Sequence, residues 1–361
     1  MTQDTASQPT PAVFAFPGNL DMPTGGYGYD RRIIAGLKGL GREVELLELG
    51  EGFPCPEPEV LRTAETALEA LPDGTLLVVD GLAYALLGAV AARLAPRITL
   101  VCLLHHPLCL ENGLDPQLAG QLEAAEREAL RHAHEVIVTS HATAARVREL
   151  FAVPSAHLHV VEPGTDRAPQ APGSGGPGLR LLSVGSIVPR QGHDVLVEAL
   201  AGLTEFDWQL DVAGGFLDEA CHAALVRQIT AHGLERRITL HGALSSTVLE
   251  AAYAAADLFV LASHYEGFGM VFTEALARGL PVIGSGGPAV ERSLSGGGGI
   301  YLQPGSVEDL RAALRRLMTD SALRRQLAAE ARAAVDRMPD WTEAARRFSA
   351  ALDAAAIRIP A

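Results

Sequence analysis

Short apolar runs alternate with longer stretches of helical period along most of this chain. In the first half the runs are AVFAF (12–16), REVELLEL (42–49), TLLVVD (75–80), ITLVCLL (98–104), EVIVTS (135–140) and LHVVE (158–162). Runs of this kind predict strands of a parallel sheet covered on both faces. Between them, YDRRIIAGLKGLG (29–41) and QLEAAEREALRHA (121–133) carry the spacing of amphipathic helices. A Pro/Gly/Ser stretch, APQAPGSGGPG (168–178), then breaks the rhythm with nothing to bury, which predicts an interdomain linker. The rhythm restarts with LRLLSVG (179–185), a helix over 193–203, WQLDVAG (208–214), a helix over 218–232 and RITLHG (237–242). DLFVLAS (257–263), a helix over 271–279, PVIGS (281–285) and a helical tail from about 306 complete it. Two α/β halves, 1–167 and 179–338, are therefore expected, sharing a plan but no sequence period. Open parallel sheets bind ligands beyond the carboxyl ends of their strands.

Composition fits this picture. With 361 residues, 48% apolar and 20% charged, the chain is long enough for two buried cores. The nearest approach to a membrane span, LLVVDGLAYALLGAVAARL (76–94), is broken by Asp80 and reaches Arg93. The start, MTQDTASQPTPAV, lacks the basic and apolar regions of a secretory leader. Cys55, Cys102, Cys109 and Cys221 are too scattered for a disulfide framework or zinc site. A cytoplasmic location is the expectation. Residues 1–178 hold 12 basic and 22 acidic side chains and residues 179–361 hold 17 and 21, so both halves are acidic. That balance argues against a nucleic-acid partner and against strong docking on anionic membranes.

Several familiar chemistries are absent from the sequence: no phosphate loop ending in GK[ST], no HExxH helix and no GxSxG elbow. TGGYGYD (24–30) lacks the third glycine of a dinucleotide fingerprint. The segment SHYEGFGMVFTEALARGLPVIGS (263–285) is different. Glu266 precedes Gly267-Phe268-Gly269, a helix starts near Met270, and Glu274 follows one turn on. Glycines let backbone approach a ligand, and a helix start offers unpaired N–H groups to an anion. A carboxylate at Glu274 can accept bonds from vicinal hydroxyls such as those of a ribose. The plain alternative is a glycine-rich turn with two solvated acids.

EGFGMVxxEAxAxGxPVI resembles the donor-site signature of glycosyltransferase family 4, retaining enzymes of the GT-B fold. TGGYGYDR (24–31), LVCLLHHPL (100–108), VTSHAT (138–143), VVEPGTD (160–166) and LLSVGSIVPRQGHDVLVEAL (181–200) resemble further family segments in the family's order. The resemblance implies two Rossmann-like parallel-sheet domains facing across a cleft. The first, 1–167, would bind the acceptor, with loops 51–60 and 107–120 as the variable parts. The second, 179–338, would bind a nucleotide-sugar donor, and a terminal helix over 339–361 would cross back to the first. It also implies roles. Glu266 would contact the donor sugar, and the N–H groups of Phe268, Gly269, Met270 and Val271 would hold sugar and distal phosphate. Glu274 would clasp the ribose, Gly25 and Gly26 would admit the diphosphate, and His105, rather than its neighbour His106, would face the transferred sugar.

One departure stands out. The family commonly places arginine and lysine where this sequence has Ser186 and Gln191, leaving Arg190 as the only cation of that loop. Arg190 is therefore the candidate to meet the leaving-group charge, with Ser186 and Gln191 as neutral donor-site residues. The implied reaction is a same-face, retaining transfer from a nucleoside diphosphate sugar (UDP, GDP or ADP) to a small-molecule, glycan or lipid hydroxyl. No cofactor is implied, and no metal, since no DxD pair accompanies the cleft segments. Two alternatives remain at this point: a degenerate member that binds a nucleotide sugar or a partner without efficient turnover, and a sugar-nucleotide epimerase.

Overall fold

The computed structural model describes residues 9–111 and 113–357. Most of the segment read for a leader, and the last four residues of the tail, lie outside the described residues. The chain forms two compact units: Met1–Gly164 with Pro339–Ala361, and Thr165–Met338.

Unit 1 runs β1 (Ala12–Phe16), α1 (Gly25–Gly39), β2 (Val44–Glu48), α2 (Pro58–Glu69), β3 (Leu76–Asp80), α3 (Gly81–Tyr84) and α4 (Gly88–Leu94). It continues with β4 (Thr99–Leu104), α5 (Pro116–Leu130), β5 (Glu135–Val138), α6 (His141–Phe151) and β6 (Leu158–Val160). All six strands are parallel, in the order β2-β1-β3-β4-β5-β6. Alternate strand residues serve opposite faces. Leu77, Val79, Leu100, Cys102, Val136 and Val138 pack with Leu68, Val90, Leu130 and Val147 from the helices.

Unit 2 runs β7 (Leu179–Val184), α7 (His193–Ala201), β8 (Trp208–Ala213), α8 (Glu219–Ala231), β9 (Ile238–Leu240) and α9 (Ser246–Ala255). Then come β10 (Leu258–Ala262), α10 (Met270–Ala277), β11 (Val282–Ser285), α11 (Pro288–Leu294), β12 (Gly299–Tyr301), α12 (Val307–Thr319) and α13 (Ser321–Val335). Its order, β12-β11-β10-β7-β8-β9, is the doubly wound arrangement with a reversal between β7 and β10. In unit 1 the reversal falls between β1 and β3. These reversals are where crevices open in such sheets.

The last helix, α14 (Trp341–Ile357), belongs to unit 1 and lies along α1. Asp340 Oδ1 accepts the Glu343 N–H at 2.8 Å and so caps it. Ala345, Phe348 and Leu352, spaced three or four apart, are fully buried. Gly36 has no Cβ because one there would lie 2.4 Å from Ala345 Cβ. Arg42, itself buried, binds Ser349 Oγ at 3.0 Å and pairs with Asp353. Burying one side chain such as Phe348 stabilises by about 1.5–3 kcal/mol.

The expected linker is corrected by the structure. Residues 168–178 are part of unit 2: Ala171 N–H donates to Arg278 O at 2.8 Å and Gly173 N–H to Ala254 O at 3.1 Å. Ala168 and Ala171 pack on that unit's core. The chain passes from one unit to the other at 164–165 and returns at 338–339, so the expected limits 167 and 179 give way to these. A low apolar content conceals a segment held by its backbone and two alanines. The start of α1 is also earlier than the periodicity predicts. Thr24 Oγ1 accepts the Tyr27 N–H at 3.4 Å, which brings Gly25 and Gly26 into the first helical turn.

Candidate active site

In unit 2 the loops after β7 and β10 meet at the sheet's reversal. The first makes a short 3-10 turn, Pro189–Gln191, and then Gly192 at φ 62° before α7. A Cβ on Gly192 would lie 2.1 Å from the Ala262 carbonyl oxygen, so only glycine lets this loop rest on the end of β10. The His264 N–H donates to Arg190 O at 2.8 Å, joining the two loops.

Glu266 sits where they join, and three side chains hold its carboxylate. Ser263 Oγ donates to Oε1 at 2.7 Å and Gln191 Nε2 to the same oxygen at 2.9 Å. Arg190 Nη1 lies 3.3 Å from Oε2 and donates to the Tyr265 carbonyl at 2.8 Å. The Glu266 N–H is itself fixed on Gly286 O at 2.9 Å. Arg190 is only 24% exposed, so the PR turn does not release it to solvent. Gln191 is buried, and its amide turns inward to Glu266 and Ser263 rather than outward. Ser186 is half-buried in the same loop.

Gly269, at φ 84°, turns the chain into α10 and contributes no capping side chain. The N–H groups of the first turn, at Met270 and Val271, therefore have no side-chain cap. Phe268, Gly269, Met270 and Val271 are all half-buried there. On the next turn Glu274 Oε2 accepts the Tyr253 hydroxyl at 2.9 Å. Burial pushes the Glu274 carboxyl above its ordinary value, opposed by the Tyr253 bond and by Arg278. Arg278 lies over the Tyr253 ring at 4.3 Å and donates to Glu274 O at 2.7 Å.

Unit 1 assembles a second cluster at its own reversal. His105 follows β4, Asp80 ends β3, and Asp30 lies on α1. His105 Nε2 is 3.0 Å from Asp30 Oδ1 and 3.5 Å from Asp80 Oδ2. Asp80 Oδ1 also caps α3 through the Leu82 N–H at 2.7 Å. The Tyr29 ring meets His105 edge-on at 5.4 Å, and Thr139 Oγ1 donates to the His105 carbonyl at 3.3 Å. Gly26 flanks the imidazole: a Cβ there would touch His105 Cδ2 at 3.5 Å, so a larger side chain would cover the ring. Gly25 and Gly26 together leave the start of α1 bare of side chains. His106 points elsewhere, with Nε2 3.2 Å from Glu111 Oε2. Ligand atoms of Asp30, Asp80 and His105 lie within 4.8 Å of one another, the one such group among the described residues. The 3.0 Å contact between His105 Nε2 and Asp30 Oδ1 is of hydrogen-bond length.

The family pattern "Glycosyl transferases group 1" matches residues 165–334, and "Glycosyltransferase Family 4" matches residues 41–168. The chain belongs to glycosyltransferase family 4. An MMP alpha-(1->4)-mannosyltransferase of Mycolicibacterium hassiacum is 26% identical over 86% of this chain and 78% of its own length. A glycogen synthase of Mycobacterium tuberculosis is 31% identical over 62% of this chain, and that match spans 55% of the synthase. Among solved structures, a sucrose-phosphate synthase from Thermosynechococcus elongatus superposes with a TM-score of 0.78 at 21% identity, covering 93% of this chain and 97% of its own. The fold is thus GT-B, and this family 4 chain is a glycosyltransferase.

Four side chains of the transferase's two clusters were not singled out from sequence. Ser263 and Tyr253 are ordinary residues whose only signal is a hydrogen bond to Glu266 or Glu274. Asp80 had a signal, since it interrupts an apolar run at a strand end. Asp30 had one too, as an acid on the buried face of α1.

Proposed function

We propose that this glycosyltransferase moves a sugar, with retention of configuration, from a nucleoside diphosphate donor to a hydroxyl acceptor. The observation that carries the reading is Glu266, held by Ser263, Gln191 and Arg190 beside the uncapped first turn of α10. A carboxylate that cannot swing is suited to accept bonds from sugar hydroxyls. The N–H groups of Phe268, Gly269, Met270 and Val271 then serve the sugar and distal phosphate, where the helix start favours negative charge. Glu274, steadied on one oxygen by Tyr253, takes the ribose hydroxyls. In unit 1 the bare glycines Gly25 and Gly26 let the diphosphate approach, and His105 contacts the sugar.

In this mechanism the departing phosphate oxygen takes the acceptor's proton as an oxocarbenium-like centre forms on the same face. The protein's part is positioning and charge stabilisation. Arg190 orients Glu266 and adds positive potential near the leaving group. Gln191 acts through Glu266 instead of touching phosphate, and Ser186 lends a neutral hydroxyl. The reading requires no metal, so a chelator should leave the rate unchanged. Relatives named mannosyltransferase and D-inositol 3-phosphate glycosyltransferase support hexose transfer to a small-molecule or glycan hydroxyl. No helix among the described residues is long and apolar enough to cross a membrane. Cytoplasmic action is part of the same proposal.

A thermal-shift panel of UDP-, GDP- and ADP-sugars, followed by nucleoside diphosphate release, tests it. A bound donor at about 100 times its dissociation constant adds about 2.7 kcal/mol of stability. One donor class should raise Tm and be turned over. No shift and no release with any of them would overturn the reading.

A further inference from the structure

Two buried carboxylates of unit 1 converge on one atom. Asp30 is fully buried and Asp80 nearly so, and both reach His105 Nε2, at 3.0 and 3.5 Å. A neutral imidazole with its proton on Nε2 leaves Nδ1 as an acceptor, whereas an imidazolium makes Nδ1–H a second donor. His105 keeps 22% of its side chain exposed, and among the described residues no hydrogen bond engages Nδ1. The ring is held from the inside and open on the outside.

We propose that Asp30 and Asp80 are positioning residues that keep His105 an imidazolium, so that its Nδ1–H is a fixed donor and the ligand group it meets is an acceptor oxygen. This rests on the reading that His105 contacts the transferred sugar of the donor.

The surroundings agree. Burial by itself would lower His105, but the Asp30 and Asp80 carboxylates raise it to about 10. Asp30 is raised to about 7 by burial, with His105 opposing and Asp80 adding to the rise. The other groups facing the cluster are Tyr27 and Tyr29 on α1, Cys102 on β4 and Thr139 after β5. Tyr27 is pushed up to about 12 by burial and by Asp80 and Asp30, and its hydroxyl donates to Pro17 O at 2.6 Å. The Tyr29 hydroxyl donates to Val161 O at 2.9 Å. None of these four brings a positive charge, so the imidazole is the cluster's own cation. His106, the nearest titratable neighbour in sequence, is engaged with Glu111 at 3.2 Å.

The test is a pH titration of the full chain labelled with 15N-histidine, with EDTA present and no donor, the His105 signals being assigned by loss in His105→Gln. Both ring nitrogens should remain protonated up to about pH 8.5, well above the ordinary histidine value of about 6.5. In Asp80→Asn, and separately in Asp30→Asn, His105 should return toward ordinary titration. Donor KM should be flat from about pH 6 to 8.5 in the wild type. In Asp80→Asn it should rise about tenfold over that interval, the difference between a charge-assisted and a neutral hydrogen bond. Wild-type His105 titrating near the ordinary value, or unaffected by both substitutions, would overturn the proposal. A variant that loses ring charge while KM stays flat would overturn the ligand assignment. The spectrum is read without substrate, so failure of the donor reading leaves the charge state measurable.

Discussion

Arg190→Ala probes the junction on which the donor reading depends. The guanidinium makes one bond to the Tyr265 carbonyl at 2.8 Å and lies 3.3 Å from Glu266 Oε2. Removing it leaves a carbonyl and a half-buried carboxylate oxygen each short of a donor, at a cost of about 1–3 kcal/mol in stability. Glu266 retains Ser263 and Gln191 on Oε1, so the loop should stay folded. The catalytic cost is separate, because loss of one preorganised stabilising group lowers kcat by roughly 10²–10³. Nucleoside diphosphate release at saturating donor gives kcat, and urea unfolding gives the stability term. If Arg190 acts through Glu266, then Arg190→Ala combined with Glu266→Gln should be little worse than Glu266→Gln alone, since coupled residues are not additive. A single variant within about twofold of wild type in kcat/KM implies under about 0.4 kcal/mol and would refute the reasoning.

Glu274→Gln should raise donor KM with kcat less affected, because ribose contacts act alike in ground and transition states, and Tyr253→Phe should repeat the effect more weakly; a kcat collapse at constant KM would contradict this. Phe348→Ala empties a fully buried position of α14 and should destabilise unit 1 by about 3–5 kcal/mol, read as a lowered calorimetric transition with that of unit 2 unmoved. His193 is lowered to about 4 by burial, with Nε2 3.2 Å from Gly185 O. Its folded pKa lies below the ordinary value, so its contribution to stability is complete above about 6.5 and fades as pH falls through about 4. His193→Gln should flatten that part of the acid-side loss in a pH series of melts, and an identical slope would show that the histidine does not titrate there.

Continuous apolar runs made the central strands legible, because strands covered on both faces carry little else. The turn into α10 was legible because glycines followed by an apolar run mark a change from loop to helix, and Gly269 at φ 84° makes that turn. What escaped was set by packing and by hydrogen bonds over long sequence separations. Helices α9 and α11 were absent from the pattern because STVLEAAYAA and PAVERSL lack a clean apolar stripe. The inward turn of Gln191 depends on Ser263 and Glu266, more than 70 residues away. The convergence of Asp30 and Asp80 on His105 joins α1, β3 and β4, and no local pattern announces it.

The central claim is that unit 2 holds a nucleoside diphosphate sugar on α10 between Glu266 and Glu274. Calorimetric titration of the intact protein with UDP, GDP and ADP, repeated on Glu274→Gln, tests it most directly. The account predicts that one diphosphate binds the wild type and that the substitution weakens it about tenfold or more, the loss of charge-assisted ribose bonds. Binding of equal strength to both proteins, or none of the three at millimolar concentration, would contradict it.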